Sequence, residues 1–564
     1  IDRDVSAGGA VSLSARGDGS SKAEGIASAA GEKAAKDGSG ADDQAGKATG
    51  LANKQSGESN KVGKSANADS EGDGGDAVSV GAALGLNIAS SVSEARIGAV
   101  TITAGKAVQL HAENNMDALA VGDGTAALGK DITDGTTVGI GIAINVADME
   151  NRAMVDAGAT VNAQGFKAEA LMKDVGGDTT HKFGATAVSG ASGGDTGVAG
   201  SFALNYSEAT TQAVLPVGAT VNAGSGDVAL KAQNTSEAAV SATAKAGAGE
   251  TGVGVSIGLN IVGDASSRAA LEGTLTGGNN LTLQAEGSHT LTTSAIGGGA
   301  AKDGTGVGGA LALTVAVNND SEAQVLGGNA LEISGAFDAQ ATHHGSAVTR
   351  AEGQGKGSDA AVGVALALSF VDDQAVASLD RDLKAGGAVS LSARGDGSSK
   401  AEGIASAAGE KAAKDGSSGD SQAGKATGVA KNQSGDSDLK VGKSANADSE
   451  GDGGDAVSVG AALGLNVAWS EAHARVGAVA IEAGGQFKLQ SENNMDATAL
   501  ADGSASLGKD ITDGTTVGIG IAINVAQMQN EAAIEAGAKV SAQGASVQAV
   551  MKDVGGDTTH KFGA

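Results

Sequence analysis

The strongest signal along the chain is an alternation of period two. In Val138-Gly139-Ile140-Gly141-Ile142-Ala143-Ile144-Asn145-Val146, every second residue is a bulky aliphatic and the residues between are Gly, Ala or Asn. That period belongs to a β-strand, whose successive side chains point to opposite faces. The same pattern recurs over residues 78–88, 198–206, 253–261, 307–317 and 362–370. A strand with one face in water normally carries Thr, Lys or Glu on that side, whereas here the second face has almost no side chain. Both faces are therefore expected to be covered, the aliphatic one by a core and the Gly/Ala one by a closely approaching layer of the same chain or a neighbour.

Self-comparison gives two further periods. Positions 7–16, Ala-Gly-Gly-Ala-Val-Ser-Leu-Ser-Ala-Arg, return unchanged at 385–394, which sets the long period at 385 − 7 = 378. Lys182-Phe183-Gly184-Ala185 returns as Lys561-Phe562-Gly563-Ala564, one position later because of an insertion near Leu439. Within this unit, small residues that follow an alternating apolar pair mark a shorter period at Ala7, Ala104, Ala163, Ala223, Gly277, Gly328 and Ala385. Most of these intervals are about 57 residues, a fixed spacing of the kind that marks a repeat architecture. The first interval is longer by a Lys-, Asp-, Ser- and Gly-rich stretch that reads as a solvated loop. Residues 1–378 are thus one complete long repeat of about six β subunits, with a polar insertion near 31–74. Residues 379–564 are the first half of the next, with its insertion near 409–453. The expected fold class is all-β, an elongated tandem-repeat β-solenoid. Alternatives are stacked β-hairpins, because 239–245 and 253–261 flank a Gly-rich turn, or β-sandwich repeats. Three coils of about 19 residues each and one hairpin fit such a subunit equally well.

Composition narrows the class. Of 564 residues 93 are Gly and one is Pro, Pro216, so the glycine is neither collagenous nor linker filler, and a hydrophobic fraction of 40% is enough to build a core. Aromatic residues make up 2%, so that core must come from small aliphatics. No cysteine occurs, which removes disulfide and thiol chemistry and suits a large exported surface protein. The net charge of −28 repels nucleic acid and anionic membrane. No apolar run reaches the roughly 18 residues of a spanning helix. The first residues, Ile-Asp-Arg-Asp, lack the basic start and apolar stretch of a secretion signal, so any export signal or anchor is expected outside this window.

Residues 158–165, Gly-Ala-Thr-Val-Asn-Ala-Gln-Gly, and 220–232, Thr-Val-Asn-Ala-Gly-Ser-Gly-Asp-Val-Ala-Leu-Lys-Ala, together with the Gly-Val-Gly…Ala-Leu-Asn strand, resemble repeats of large filamentous haemagglutinin-like and leukotoxin-like adhesins of Gram-negative bacteria. The resemblance runs along essentially the whole chain and rests on short, compositionally biased motifs. It implies a right-handed parallel β-helix, secretion and display at the bacterial cell surface. It transfers no functional residue.

Two columns of polar residues follow from the repeat. Asn87, Asn145, Asn205, Asn260 and Asn318, with Ser369 in the sixth subunit and Asn466 and Asn524 in the next copy, occupy a recurrent position. Stacked subunits would place these amides over one another in a hydrogen-bonded ladder, since a buried polar group needs a partner and its copies are nearest. Ligand binding is the alternative. Asp76, Asp134, Asp195, Glu250, Asp303 and Asp359, with Asp455 and Asp513, precede each long strand. A column of carboxylates would need a counter-ion, for which Ca²⁺ with its all-oxygen shell is suited. The alternative is turn chemistry, in which Asp beside Gly forms the tight connection. His111, His181, His289, His343, His344, His473 and His560 show no metal-ligand spacing and read as exposed strand residues, with His343 and His344 on opposite faces.

Near-verbatim copies suit selection for length or repeated contacts better than a unique, preorganised catalytic site. The expected function is therefore non-enzymatic: a structural repeat region of a giant secreted surface adhesin, biofilm or extracellular filament. It would serve as a spacer or stalk, or associate laterally through its Gly/Ala faces. Its expected partners are other copies of itself, adjoining repeats, and cell-surface or matrix components. An array binding glycan, ice or mineral is one alternative. A polysaccharide-degrading β-helix is a weaker one, because so few aromatic residues do not supply sugar platforms.

Overall fold

A computed structural model describes residues 1–31, 77–128, 132, 134–409, 456–507 and 514–564. Beyond Gly31 and Gly409 the polar insertions lie outside the described residues, as do Asp76, Asp455 and Asp513. Among the described residues all regular structure is β, and the long strands stack as the coils of a parallel solenoid.

One coil comprises two long strands and one short one. Val228–Ala248 runs out along the first long sheet, Gly249 and Glu250 make the turn, Thr251–Leu271 returns along the second, and Thr274–Gly277 closes the third side before Leu281–Ala301 begins the next coil. The two long strands look like a hairpin in sequence, yet they do not pair with each other. Each pairs in parallel with its equivalents in the coils above and below. One subunit is therefore one coil. Neither a stack of hydrogen-bonded hairpins nor three smaller coils per subunit describes it.

Over the first half of each strand, register is kept residue for residue through the second sheet, in which Val80, Val138, Val198, Val253, Val307, Val362, Val459 and Val517 stand in one file. The short side is less uniform. Its strands from Val5–Ala7 to Thr274–Gly277 form one sheet, and a second begins at Leu331–Ile333. Ile333 pairs with Ala385, so the repeat position in this coil is Ile333 rather than Gly328. The Arg381 side chain, 1% exposed, closes the junction by donating to the carbonyls of Gly273, Leu271 and Leu326.

The interior differs between its two ends. Beside the short side it is thick and filled by Ile97, Ile102, Leu110, Val161, Phe166, Leu271 and their equivalents. Each such side chain contributes about 1.5–3 kcal/mol by leaving water. Toward the turn between the long strands it thins to Ala and Gly: Ala143, Ala185, Ala203 and Ala242 belong to one small cluster. There the sheets approach so closely that a Cβ on Gly254 would lie 2.1 Å from the carbonyl oxygen of Gly298, and one on Gly141 would lie 2.0 Å from that of Val188.

This closeness reverses an expectation. The Gly/Ala/Asn face of the long strands is the inner face, and the bulky aliphatics point out of the molecule. Gly139, Gly141, Ala143 and Asn145 are on the interior side, while Ile140 is 37% exposed, Val255 41% and Leu84 57%. The closely approaching layer is the opposite long sheet of the same solenoid, met both within a coil and in the next one, and only small residues let it approach. Lateral packing through Gly/Ala faces is accordingly excluded for the described coils.

Candidate functional site

The inner face carries the asparagine ladder. Asn87 Nδ2 donates to Asn145 Oδ1 at 2.8 Å, Asn145 to Asn205 at 2.8 Å, and Asn205 to Asn260 at 3.0 Å. Asn466 donates to Asn524 at 2.9 Å in the second copy. The parallel register delivers each amide to the next at the strand spacing, and Asn145, Asn205, Asn260 and Asn466 are fully buried.

Asn318 is not a member. Thr314 pairs beside Asn260, and Ser369 follows it in the file. Asn260 instead donates to the carbonyl of Ala238 at 2.8 Å, and Thr314 Oγ1 lies 2.7 Å from Thr293 Oγ1 and 2.6 Å from Thr349 Oγ1. The register slips between Ala316 and Asn319, which leaves Asn318 exposed and bonded to the carbonyl of Gly263. Thr314 follows Val307 by seven residues, as Asn260 follows Val253, so the ladder position is reached before the slip and Asn318 lies four residues beyond it.

The carboxylates take a different place. Asp134, Glu250, Asp303 and Asp359 are exposed, and Asp195 is half-buried, at the turn between the long sheets. Their backbones are what stack there: Glu250 N–H donates to Asp195 C=O at 2.9 Å, and Thr305 N–H to Glu250 C=O at 2.7 Å. Among the described residues no three His, Asp or Glu converge as a metal-binding set.

Three of the histidines are buried rather than exposed: His181, His289 and His343 are 0%, 1% and 1% accessible. They form a polar seam between the sheets. His289 Nδ1 is 2.8 Å from Ser236 Oγ, and its ring lies 5.3 Å from that of His343. His343 is 3.2 Å from Ser321 Oγ through Nδ1 and 3.3 Å from Asp373 Oδ1 through Nε2, and Asn319 Nδ2 also donates to that carboxylate oxygen at 3.0 Å. Gly287 leaves the space these rings fill, since a Cβ there would stand 3.0 Å from His343. Burial holds His181 at a pKa of about 3 and His289 well below the usual imidazole range, so both are neutral.

Ser321, His343 and Asp373 have the residue types of a hydrolytic triad. All three are at most 4% exposed, so a substrate has no path to the serine, and the arrangement serves to satisfy polar groups between the sheets. The signal for this seam is parity. His289 is in phase with Leu281, Leu283 and Leu291, all buried, while His344 is out of phase and exposed beside Asp396, whose carboxylate raises its pKa.

The outer faces differ sharply. The first sheet presents Lys231, Gln233, Thr235, Glu237 and their equivalents. The second presents files of Val, Ile and Leu over the first half of each strand and charged residues such as Glu150, Arg152, Arg268 and Glu322 over the second half. Comparison with protein-family models, curated proteins and solved structures finds no match.

Proposed function

We propose that this chain is a structural repeat segment of a secreted bacterial surface adhesin or extracellular filament, working as a stiff rod and not as an enzyme. The observation that carries the reading is the register of the second sheet, held over the first half of every strand and continuing from one long repeat into the next. Rods built this way grow by adding coils without changing cross-section. The resemblance to filamentous haemagglutinin-like repeats supports export and surface display, and the exposed carboxylate turns leave Ca²⁺ as a ligand to be tested by chelation.

The geometry qualifies the role of spacer. Each coil uses about 57 residues to advance about 4.8 Å, a distance that about two extended residues would cover. What the coil creates beyond length is two broad, regular faces. A surface role is thus the stronger part of the reading. Electron microscopy of the purified repeat region tests it: uniform rods that lengthen by about 29 Å per six-coil unit support it, and beads on a flexible tether contradict it.

A second reading, a face that orders water or glycan, is favoured by one observation. Thr101, Thr160, Thr220 and Thr274 stand in file on the short side. The residues two positions on are Thr103, Asn162, Asn222 and Thr276. Adsorption of the rod to ice or glycan, lost on Thr160→Val with Thr220→Val, would establish it.

A further inference from the structure

The outer face of the second sheet has no charge over five adjacent files. One strand contributes Val253, Val255, Ile257, Leu259 and Ile261, and the neighbouring coils repeat the pattern with few interruptions. Five files at two residues each span about 30 Å, and eight strands at about 4.8 Å span about 35 Å, so the apolar footprint is roughly 1,000 Å². The largest apolar patch on an ordinary monomer is about 300–600 Å². A stable interface needs about 800 Å² from each partner.

We infer that this face docks onto the same face of a second copy of the chain, so that two solenoids lie side by side with their aliphatic files interleaved. Two observations select a second copy over other occupants. The area from one chain already meets what a stable dimer needs. The face is regular from coil to coil, which suits packing of sheet against sheet at about 10 Å. Acids border the band on both sides, Asp148, Glu150, Glu208 and Glu322 beyond its end and Glu250, Asp303 and Asp359 at the turn before it, so charge opposes association and the apolar band drives it. A two-fold axis parallel to the solenoid axis superposes band on band. In that arrangement the two solenoids run parallel and each coil meets the coil of equal height, so residues at the middle of the band, such as Ile257, meet their own copies.

The inference rests on the rod reading, because the face exists only while coils stay in register. The test uses this full chain in sedimentation velocity across a concentration series, with circular dichroism to check folding. Wild type is expected to dimerise, more strongly at higher salt as charge repulsion is screened. L204K with L313K, both on the band, is expected to weaken association at least ~10-fold, since a buried unpaired charge is strongly unfavourable. T243K with T290K, on the outer face of the first sheet, should leave it unchanged. Should the band variant fail to fold, I257C replaces it: the native chain has no cysteine, and oxidation should link Ile257→Cys to its own copy while Thr290→Cys stays monomeric. A wild type that remains monomeric, association equal in both lysine variants as end-to-end pairing would give, or capture by phospholipid vesicles without dimerisation would each overturn the proposal. A monomeric rod would still leave the rod reading standing, whereas globules would remove both.

Discussion

The two long sheets have strands of similar length, share one interior and stack their strands in parallel, yet their outer faces are opposites. The first sheet covers its outside with Lys, Gln, Thr and Glu in the ordinary manner of a solvated sheet, and the second exposes Val, Ile and Leu. Because the inner faces of both sheets are small over the narrow end, hydrophobicity cannot identify the inside there. Distance does: where sheets approach until backbone nearly meets backbone, the inner positions are held mainly by Gly, Ala, Ser, Thr and Asn, and most larger aliphatics are displaced outward. In this half of the molecule, side-chain volume and not polarity sorts residues between inside and outside.

The contrast breaks most visibly at adjacent residues of one strand. Gly254→Val adds a side chain where even a Cβ would meet the Gly298 carbonyl at 2.1 Å. It should destabilise the solenoid by more than about 4 kcal/mol, at the upper end of overpacking effects, read as a large fall in the denaturation midpoint. Val255→Thr, one residue on and facing out, should change monomer stability by less than about 0.5 kcal/mol. Equal effects at the two positions would remove the assignment of faces.

A smaller effect belongs to the ladder. Asn145→Ala leaves the Asn87 amide and the Asn205 carbonyl without their partners and should lower stability by about 2–4 kcal/mol in chemical denaturation. Asn318→Ala, outside the ladder, should have little effect.

The buried imidazoles set the pH dependence. His181, with a pKa of about 3 in the folded state against about 6.5 when unfolded, and His289, shifted the same way, bind fewer protons folded than unfolded. Stability is therefore complete above about pH 6.5 and declines as pH falls below it. Asp320, raised to about 6 by burial and the nearby Glu322, acts in the opposite sense: it binds more protons when folded, so its contribution is lost as pH rises from about 4 to 6. Asp117, Asp123, Asp264, Asp372 and Asp502 are raised by burial in the same sense as Asp320, so the imidazoles are read by difference. Between about pH 6.5 and 4, His289→Leu should lose less melting temperature than the wild type. An equal pH dependence in the two proteins would show that the seam is open to water.

Much of the fold was legible in the sequence. Period two gave strands, the regular subunit spacing gave coils, and coil stacking followed for the ladder asparagines from Asn87 to Asn260. Four features were not. Parity separates the two faces of a strand without saying which is inside, so the aliphatic files were assigned to the core. A hairpin-like pair of strands joined by Gly249 and Glu250 cannot reveal from local sequence that its hydrogen bonds run to other coils. The ladder position in the fifth coil is Thr314, seven residues after Val307 as Asn260 is after Val253, so an Asn four residues further on does not belong to it, and the buried histidines are marked only by their phase with neighbouring leucines.

The central claim is that one turn of the solenoid takes up a whole subunit, and mass per unit length tests it most directly. In scanning transmission electron microscopy of a long array, a long repeat spread over six coils at about 4.8 Å each predicts about 13 residues per ångström for a single rod, and about 26 for a face-to-face pair. A value of about 4, as three coils per subunit would give, would contradict the account.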